Sequence, residues 1–206
     1  MRKMESLVYL KELGLLTVPA REFTYEQMNA ALKYAGRLRT KGRGFNLRTD
    51  GGFRSRNQDD LPFKRNFTLT GLKNIMERYK DSLTYIIFET PDDTKLYFNG
   101  TCCLDETGQF VAEINYTDKG ANRDTMKIGK NRIRIDIPPQ FDCEPVLLQI
   151  RGDMMSRGLY KTVEISAFEE GQKIVYWQIR NMTPPGSLQN YMDICKMLGI
   201  KHIEVK

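Results

Sequence analysis

The stretch TVEISAFEEGQKIVYWQIRN, residues 162–181, decides how the rest of the chain is read. Two β-rich runs flank the turn Glu169-Glu170-Gly171, the pattern of a hairpin. Ile165, Ala167, Val175 and Trp177 are expected to supply its packing. Polar groups stand at its ends. Glu164 opens the first strand, and Gln178 and Arg180 close the second. Residues two apart in a strand share a face, so Gln178 and Arg180 project together. A register that sets Glu164 opposite them would put three polar groups on one ligand, whereas a one-residue slip would send Glu164 to the other face.

The chain of 206 residues is long enough to bury a sizeable core, with 40% hydrophobic and 28% charged residues. That composition is globular rather than disordered. A net charge of +6 suits an anionic partner: a nucleotide, a nucleic acid or an acidic protein. The four cysteines, Cys102, Cys103, Cys143 and Cys195, show no C-x-x-C spacing, and the single histidine is His202. Structural zinc is therefore not expected, and reduced thiols in a cytoplasmic protein are. The start, MRKMESLVYLKELG, is too charged for a signal peptide, and no apolar run approaches a membrane span. One histidine cannot furnish a Ser-His-Asp arrangement. No G-x-x-x-x-G-K-[ST] or G-x-G-x-x-G run is present either.

Working outward from the hairpin, residues 3–14 read as a helix, with Leu7, Leu10 and Leu13 on one face and Gly14 as its stop. Pro19 biases Val18 toward extended backbone. Thr24 and Gln27 form a capping box ahead of a helix whose apolar face is Met28, Ala31, Leu32 and Ala35. A short strand at 44–50 and a helix at 70–79, with Thr70 as its N-cap, follow. Strands are expected at 83–89, 95–104, 109–117 and 131–138. In the last of these, Ile133, Ile135 and Ile137 alternate with Arg132, Arg134 and Asp136. Pro145 opens a helix over 144–158, and a helix with a short strand closes the chain after the TPPGS segment at 183–187. Helices first and strands later argue an α+β fold in two lobes, with mostly antiparallel sheets and flanking helices. The expected divisions are 1–88, 89–182 and a tail over 183–206.

Charged and amide side chains collect at element ends: Lys3, Arg48, Glu89, Glu164, Gln178 and Arg180, with Glu113 and Asn115 sharing a strand face. The inventory fits phosphate chemistry. Cations neutralise phosphates, while carboxylate and amide oxygens hold Mg²⁺. Phosphoryl transfer needs positioning and charge neutralisation more than an activated nucleophile.

The order of these residues resembles the N-terminal ATP-grasp nucleotide-binding domain of phosphoenolpyruvate synthase and pyruvate phosphate dikinase. Lys3 stands ahead of Leu10 at the family lysine's distance, and LGLLTVPAREFTYEQM follows in the family order. Arg48 in LRTD takes the place of the arginine in a V-R-S-S strand end, with Thr49 and Asp50 where that motif has serines. Asp60, Leu61 and Pro62 match an E-D-L-P element. Val163-Glu164 and Gln178-Ile179-Arg180 match the closing I-E…Q-x-R hairpin, here about two residues longer.

The resemblance implies a compact ATP-grasp protein that binds ATP and Mg²⁺ between two lobes. Lys3, Arg48 and Arg180 would contact phosphates, Arg48 and Arg180 would serve catalysis, and Glu164 and Gln178 would hold the metal. Glu89 would lie near the adenine, and the Asn99-Gly100-Thr101 turn would cover the phosphates. Phosphoryl transfer to a small molecule or a partner protein would follow.

Two other readings stand beside it. The basic segment 37–56 carries Arg37, Arg39, Lys41, Arg43, Arg48, Arg54 and Arg56 with Phe45 and Phe53, a pattern that could grip a single-stranded nucleic acid. A chain of this size could also be a catalytically inactive ATP-grasp-like interaction subunit.

Overall fold

The computed structural model describes residues 1–40, 44–51, 63–64, 67–91, 95–116, 133–137, 144–180 and 202–204. These form two compact units. One comprises Arg2–Val8 and Val18–Asp93; the other comprises Met1, Tyr9–Thr17 and Thr94–Lys206.

In the first unit, a four-stranded sheet runs in the order β1-β4-β2-β3: β1 is Ala20–Phe23, β4 Thr84–Glu89, β2 Phe45–Asp50 and β3 Phe63–Lys64. All its pairings are antiparallel. Two helices, α2 (Met28–Thr40) and α3 (Leu69–Tyr79), supply the apolar stripes that cover one sheet face. Ala31, Ala35 and Leu38 of α2 and Leu72 and Met76 of α3 pack with Phe45, Leu47, Tyr85 and Ile87. Small alanines at four-residue spacing let α2 approach closely. The Gln27 side chain accepts from the Thr24 backbone N–H at 3.1 Å, as the capping box requires. The N-cap of α3 is Thr68 rather than Thr70: its Oγ1 accepts from the Gly71 N–H at 3.0 Å. Both threonines lie at a usable distance from the apolar stripe, and the helix starts where a hydroxyl meets an otherwise unpaired N–H.

The second unit is built on a six-stranded sheet in the order β10-β7-β6-β5-β8-β9. Its members are β5 (Leu96–Leu104), β6 (Phe110–Tyr116), β7 (Ile133–Ile137), β8 (Thr162–Phe168), β9 (Lys173–Arg180) and β10 (His202–Glu204). Only the β10–β7 pair is parallel. Alternation makes one face apolar. Phe98, Cys102, Phe110, Ala112, Ile114, Val163, Ile165 and Ile179 pack with Leu147, Ile150 and Met154 of α4 (Pro145–Ser156). Leu10, from the second half of α1 (Lys3–Glu12), joins this core. Helix α1 stops as its sequence predicts: Gly14 has φ +74°, and the Leu15 N–H returns to the Leu10 carbonyl at 3.1 Å.

Two expectations are corrected here. Asn99-Gly100-Thr101 is the middle of the central strand β5, not a turn. Gly100 is there because β6 approaches too closely for a side chain: a Cβ would lie 2.9 Å from the Ile114 Cα. The packing of the opening hairpin also differs. Ile174 and Tyr176 join Ile165 and Ala167 in the core cluster, whereas Val175 is buried outside that cluster and Trp177 is half-buried. The cause is a bulge. Ile165 pairs with Tyr176 and Glu164 with Gln178, so Trp177 is one extra residue in β9. The turn residues Glu169 and Glu170 take positive φ values of 54° and 56°. Cys102 and Cys103 are buried cysteines, whereas Cys143, Cys195, Asp60, Leu61, Pro62 and the expected helix after residue 187 lie outside the described residues.

Candidate functional site

The face of the six-stranded sheet opposite its apolar core is polar. Gln178, Glu164, Thr101 and Glu113 are successive cross-strand partners on β9, β8, β5 and β6. The same register continues through Arg134 on β7 to His202 on β10. One line of residues thus crosses all six strands. Next to it Asn99 pairs with Ser166 and with Asn115.

Glu164, Gln178 and Arg180 are brought together. Glu164 is 2% exposed and Gln178 5%, so both are taken out of water. The Glu164 carboxylate is held by Arg180: Nε donates to Oε1 at 2.7 Å, and Nη2 reaches the same oxygen. A carboxylate this buried needs a counter-charge, because its desolvation costs several kcal/mol, on the order of the attraction it regains. The Gln178 Oε1 atom is buried and has no hydrogen-bond partner among the described residues. An orphaned buried oxygen costs about 1–3 kcal/mol. Beside it, the Trp177 indole N–H donates to Ser166 Oγ at 2.8 Å, which anchors the bulge to β8.

These residues fit a hard divalent cation. Carboxylate and amide oxygens are its preferred donors, and the unsatisfied Gln178 oxygen is the atom such an ion would satisfy. Among the described residues, no group of three or more His, Cys, Asp or Glu could hold a metal alone. Phosphate oxygens from a nucleotide would have to complete the coordination.

Lys3 and Arg48 belong to the other unit and are brought near one another there. Lys3 Nζ donates to the Thr49 carbonyl at 2.8 Å, and the Lys3 backbone N–H donates to Asp50 Oδ2 at 3.3 Å. Arg48 and Asp50 share a face of β2. Asp50 is 4% exposed. It stands at the positive end of the α1 dipole, the favourable end for an anion. Arg2 joins the cluster through Glu22 at 3.0 Å and the Thr84 hydroxyl at 3.2 Å. In sequence Asp50 stands only where the resembled motif has a serine, and its anchoring of the α1 start is seen in the structure. Its signal was an acidic residue at a strand end following a helix start rich in cations.

Glu89 is not brought to Lys3 and Arg48. It pairs with Phe45, on the helix-covered face of the sheet, and its charge raises the pKa of Tyr34 on α2. Burial is the larger cause of that shift, and Arg21, stacked 5.2 Å from the Tyr34 ring centre, opposes it. Of the basic segment, Arg37 and Arg39 are exposed on α2 and Arg48 is half-buried, while Lys41, Arg43, Phe53, Arg54 and Arg56 lie outside the described residues. Phe45 is fully buried, packed edge-on 6.2 Å from Phe67, so it offers no face to a nucleic-acid base.

Two units, each a mostly antiparallel sheet flanked by helices, define the architectural class. Solved structures place that class. The carboxyaminoimidazole ribonucleotide synthase of Aspergillus clavatus, solved with ATP, superposes with a TM-score of 0.57 at 10% identity, over 99% of this chain and 54% of that one. The macrocyclase MdnC of Microcystis aeruginosa MRC, solved with its precursor peptide MdnA, gives 0.55 at 11% identity, over 96% of this chain and 58% of that one. The D-alanine-D-alanine ligase of Helicobacter pylori gives 0.51 at 16% identity, again over 96% and 58%. The α+β, two-sheet architecture is the ATP-grasp fold. This chain spans a little over half the length of these three proteins. No protein-family model and no curated protein matches the sequence. No helix among the described residues is long and apolar enough to cross a membrane.

Proposed function

We propose that the chain binds Mg·ATP in the ATP-grasp manner and supports phosphoryl transfer to a small molecule or a partner protein. The observation that carries this reading is the buried Glu164–Gln178 pair across β8 and β9, with Arg180 on the carboxylate and the Gln178 oxygen without a partner. Glu164 and Gln178 are assigned to Mg²⁺, and Lys3, Arg48 and Arg180 to phosphate oxygens. Arg48 and Arg180 would carry the catalytic charge neutralisation, where preorganised cations are worth most. When bound, Mg²⁺ would neutralise phosphate charge. Glu89, on the other face of its sheet, would serve the base end of the nucleotide, apart from the phosphate set. The resemblance of Lys3, Arg48 and the Q-x-R strand end favours the phosphoenolpyruvate synthase type within the fold. MdnC, solved with a peptide, makes a peptide-like acceptor worth assaying alongside small carboxylates.

A titration of ATP with and without Mg²⁺ tests the reading. The single tryptophan, Trp177, sits next to Gln178 in sequence and reports on the site by fluorescence. Saturable binding that Arg48→Ala abolishes and that Glu164→Ala makes independent of Mg²⁺, with cooperative unfolding retained, supports the proposal over an inactive scaffold. No binding at millimolar ATP with Mg²⁺ would sink it.

A further inference from the structure

Arg180 has only donors to offer, and it directs both Nε and Nη2 to one oxygen of Glu164. The Gln178 oxygen, on the residue paired with Glu164 across the two strands, receives no hydrogen bond from the described residues. A carboxylate and an amide oxygen therefore stand together, and the resident cation satisfies only the first. A guanidinium cannot do the work of a compact cation here. Its donors are spread over a planar fork, whereas a divalent ion draws several oxygens to one point. Arg180 and a metal also compete for the same Glu164 oxygens, since the carboxylate has one full negative charge to share.

We propose that Arg180 is a placeholder cation. It neutralises Glu164 in the ligand-free chain, then exchanges that carboxylate for a nucleotide phosphate once a divalent ion takes Glu164 and Gln178. This rests on the Mg·ATP reading above and adds its regulation. Guanidinium binds phosphate oxygens as well as it binds carboxylate, so the exchange keeps Arg180 paired throughout. Arg180 is 18% exposed in its side chain against 3% for Glu164, so the arginine is the partner with room to turn. The consequence is a coupling. Metal frees Arg180 for phosphate, and phosphate draws Arg180 off the metal's carboxylate, so each ligand favours the other by the same factor.

The coupling predicts an inverted response in Glu164→Gln. Without the carboxylate charge, Arg180 is already released, so metal-free ATP binds at least about fivefold more tightly than to the unaltered protein, and Mg²⁺ no longer improves binding. A merely structural ion pair predicts weaker ATP binding instead. In Arg180→Gln, the placeholder is gone, and Mn²⁺ alone, followed by quenching of Trp177, binds at least about fivefold more tightly than to the unaltered protein. Cooperative thermal unfolding establishes that each variant is folded, and the Arg180→Gln arm decides alone if Glu164→Gln is not. Weaker metal-free ATP binding by Glu164→Gln, or Mn²⁺ binding by Arg180→Gln equal to or weaker than the unaltered protein's, overturns the exchange. The two proposals fail separately. Absence of Mg·ATP binding by the unaltered protein removes the function, whereas the Mn²⁺ arm contains no nucleotide and still tests the placeholder.

Discussion

Glu164 on β8 and Gln178 on β9 are direct cross-strand partners because β9 carries one extra residue, Trp177, between them and the turn. Toward the turn, Ile165 pairs with Tyr176, and both side chains enter the core. Beyond the bulge the phase of β9 inverts, so Gln178 and Arg180 leave the core side and join Glu164. Without the extra residue, strict alternation would carry Tyr176, Gln178 and Arg180 to one face. The bulge lets a tyrosine pack and a glutamine face the polar side, two residues apart. Bulges often re-aim side chains beside functional sites.

Gln178→Leu is expected to raise stability and lower function together. The substitution removes a buried oxygen that has no hydrogen-bond partner among the described residues and replaces it with apolar surface, a gain of about 1 kcal/mol. The denaturation midpoint should rise while the Mg²⁺ enhancement of ATP binding is lost. A fall in the midpoint would mean that Gln178 is satisfied in solution and is a structural residue.

Arg180→Ala should behave in the opposite way. It leaves the Glu164 carboxylate, 3% exposed, without its guanidinium, at a cost of about 3 kcal/mol. Replacing both residues by leucine should recover most of that loss, since the pair repays its own desolvation at best. Chemical denaturation of Arg180→Ala and of the double leucine variant compares the two losses. Equal losses for Arg180→Ala and the double variant would show that the ion pair, not the orphaned charge, was the source of stability.

The hairpin shows how far sequence carries such a site. Alternation in TVEISAF assigned the faces of β8 correctly, because that strand is regular. The same rule put Val175 and Trp177 on the core face of β9, but Ile174 and Tyr176 enter that core and Val175 is buried outside it, because a bulge leaves no mark in hydrophobic periodicity. Capping had the same ambiguity on a smaller scale. Thr68 and Thr70 are chemically equivalent caps, and a single hydrogen bond to Gly71 separates them. Cross-strand neighbours were the least legible. Glu89 and Arg48 both end or nearly end strands, but their sides of the sheet depend on register, which a single strand's pattern does not contain.

Alkaline pH is expected to destabilise the fold through its buried phenols. Burial, helped by nearby Asp81, pushes Tyr85 up to about 12. Its hydroxyl donates to the Lys80 carbonyl at 2.9 Å. Tyr176 is raised further by burial and by Asp153, whose Oδ2 accepts from its hydroxyl at 3.3 Å. An unfolded tyrosine ionises near pH 10, so above that value the unfolded chain holds fewer protons than the folded one. Stability is therefore fully present below about pH 10 and falls as pH rises toward the folded values. Denaturant unfolding measured from pH 9 to 12 should show this decline, flattened in Tyr85→Phe. An unchanged slope in that variant would mean that Tyr85 ionises as freely in the fold as in the unfolded chain.

The same Gly→Ala substitution should have opposite signs at two positions. At Gly100, on β5, an added Cβ meets the backbone of Glu113 and lies 2.9 Å from the Ile114 Cα, with no flexible side chain to yield. Pairing of β5 with β6 must open, at a cost of about 3 kcal/mol. Because β5 also positions β8 through Thr101 and Glu164, the Mg·ATP response should weaken along with stability. At Gly152, inside α4, an added Cβ meets nothing within 4 Å, and alanine's helix propensity should stabilise by about 1 kcal/mol. Denaturation midpoints of the two variants, compared with the unaltered protein, read both signs in one experiment. Tolerance of alanine at Gly100 would show that β6 lies farther from the central strand than the observed register requires.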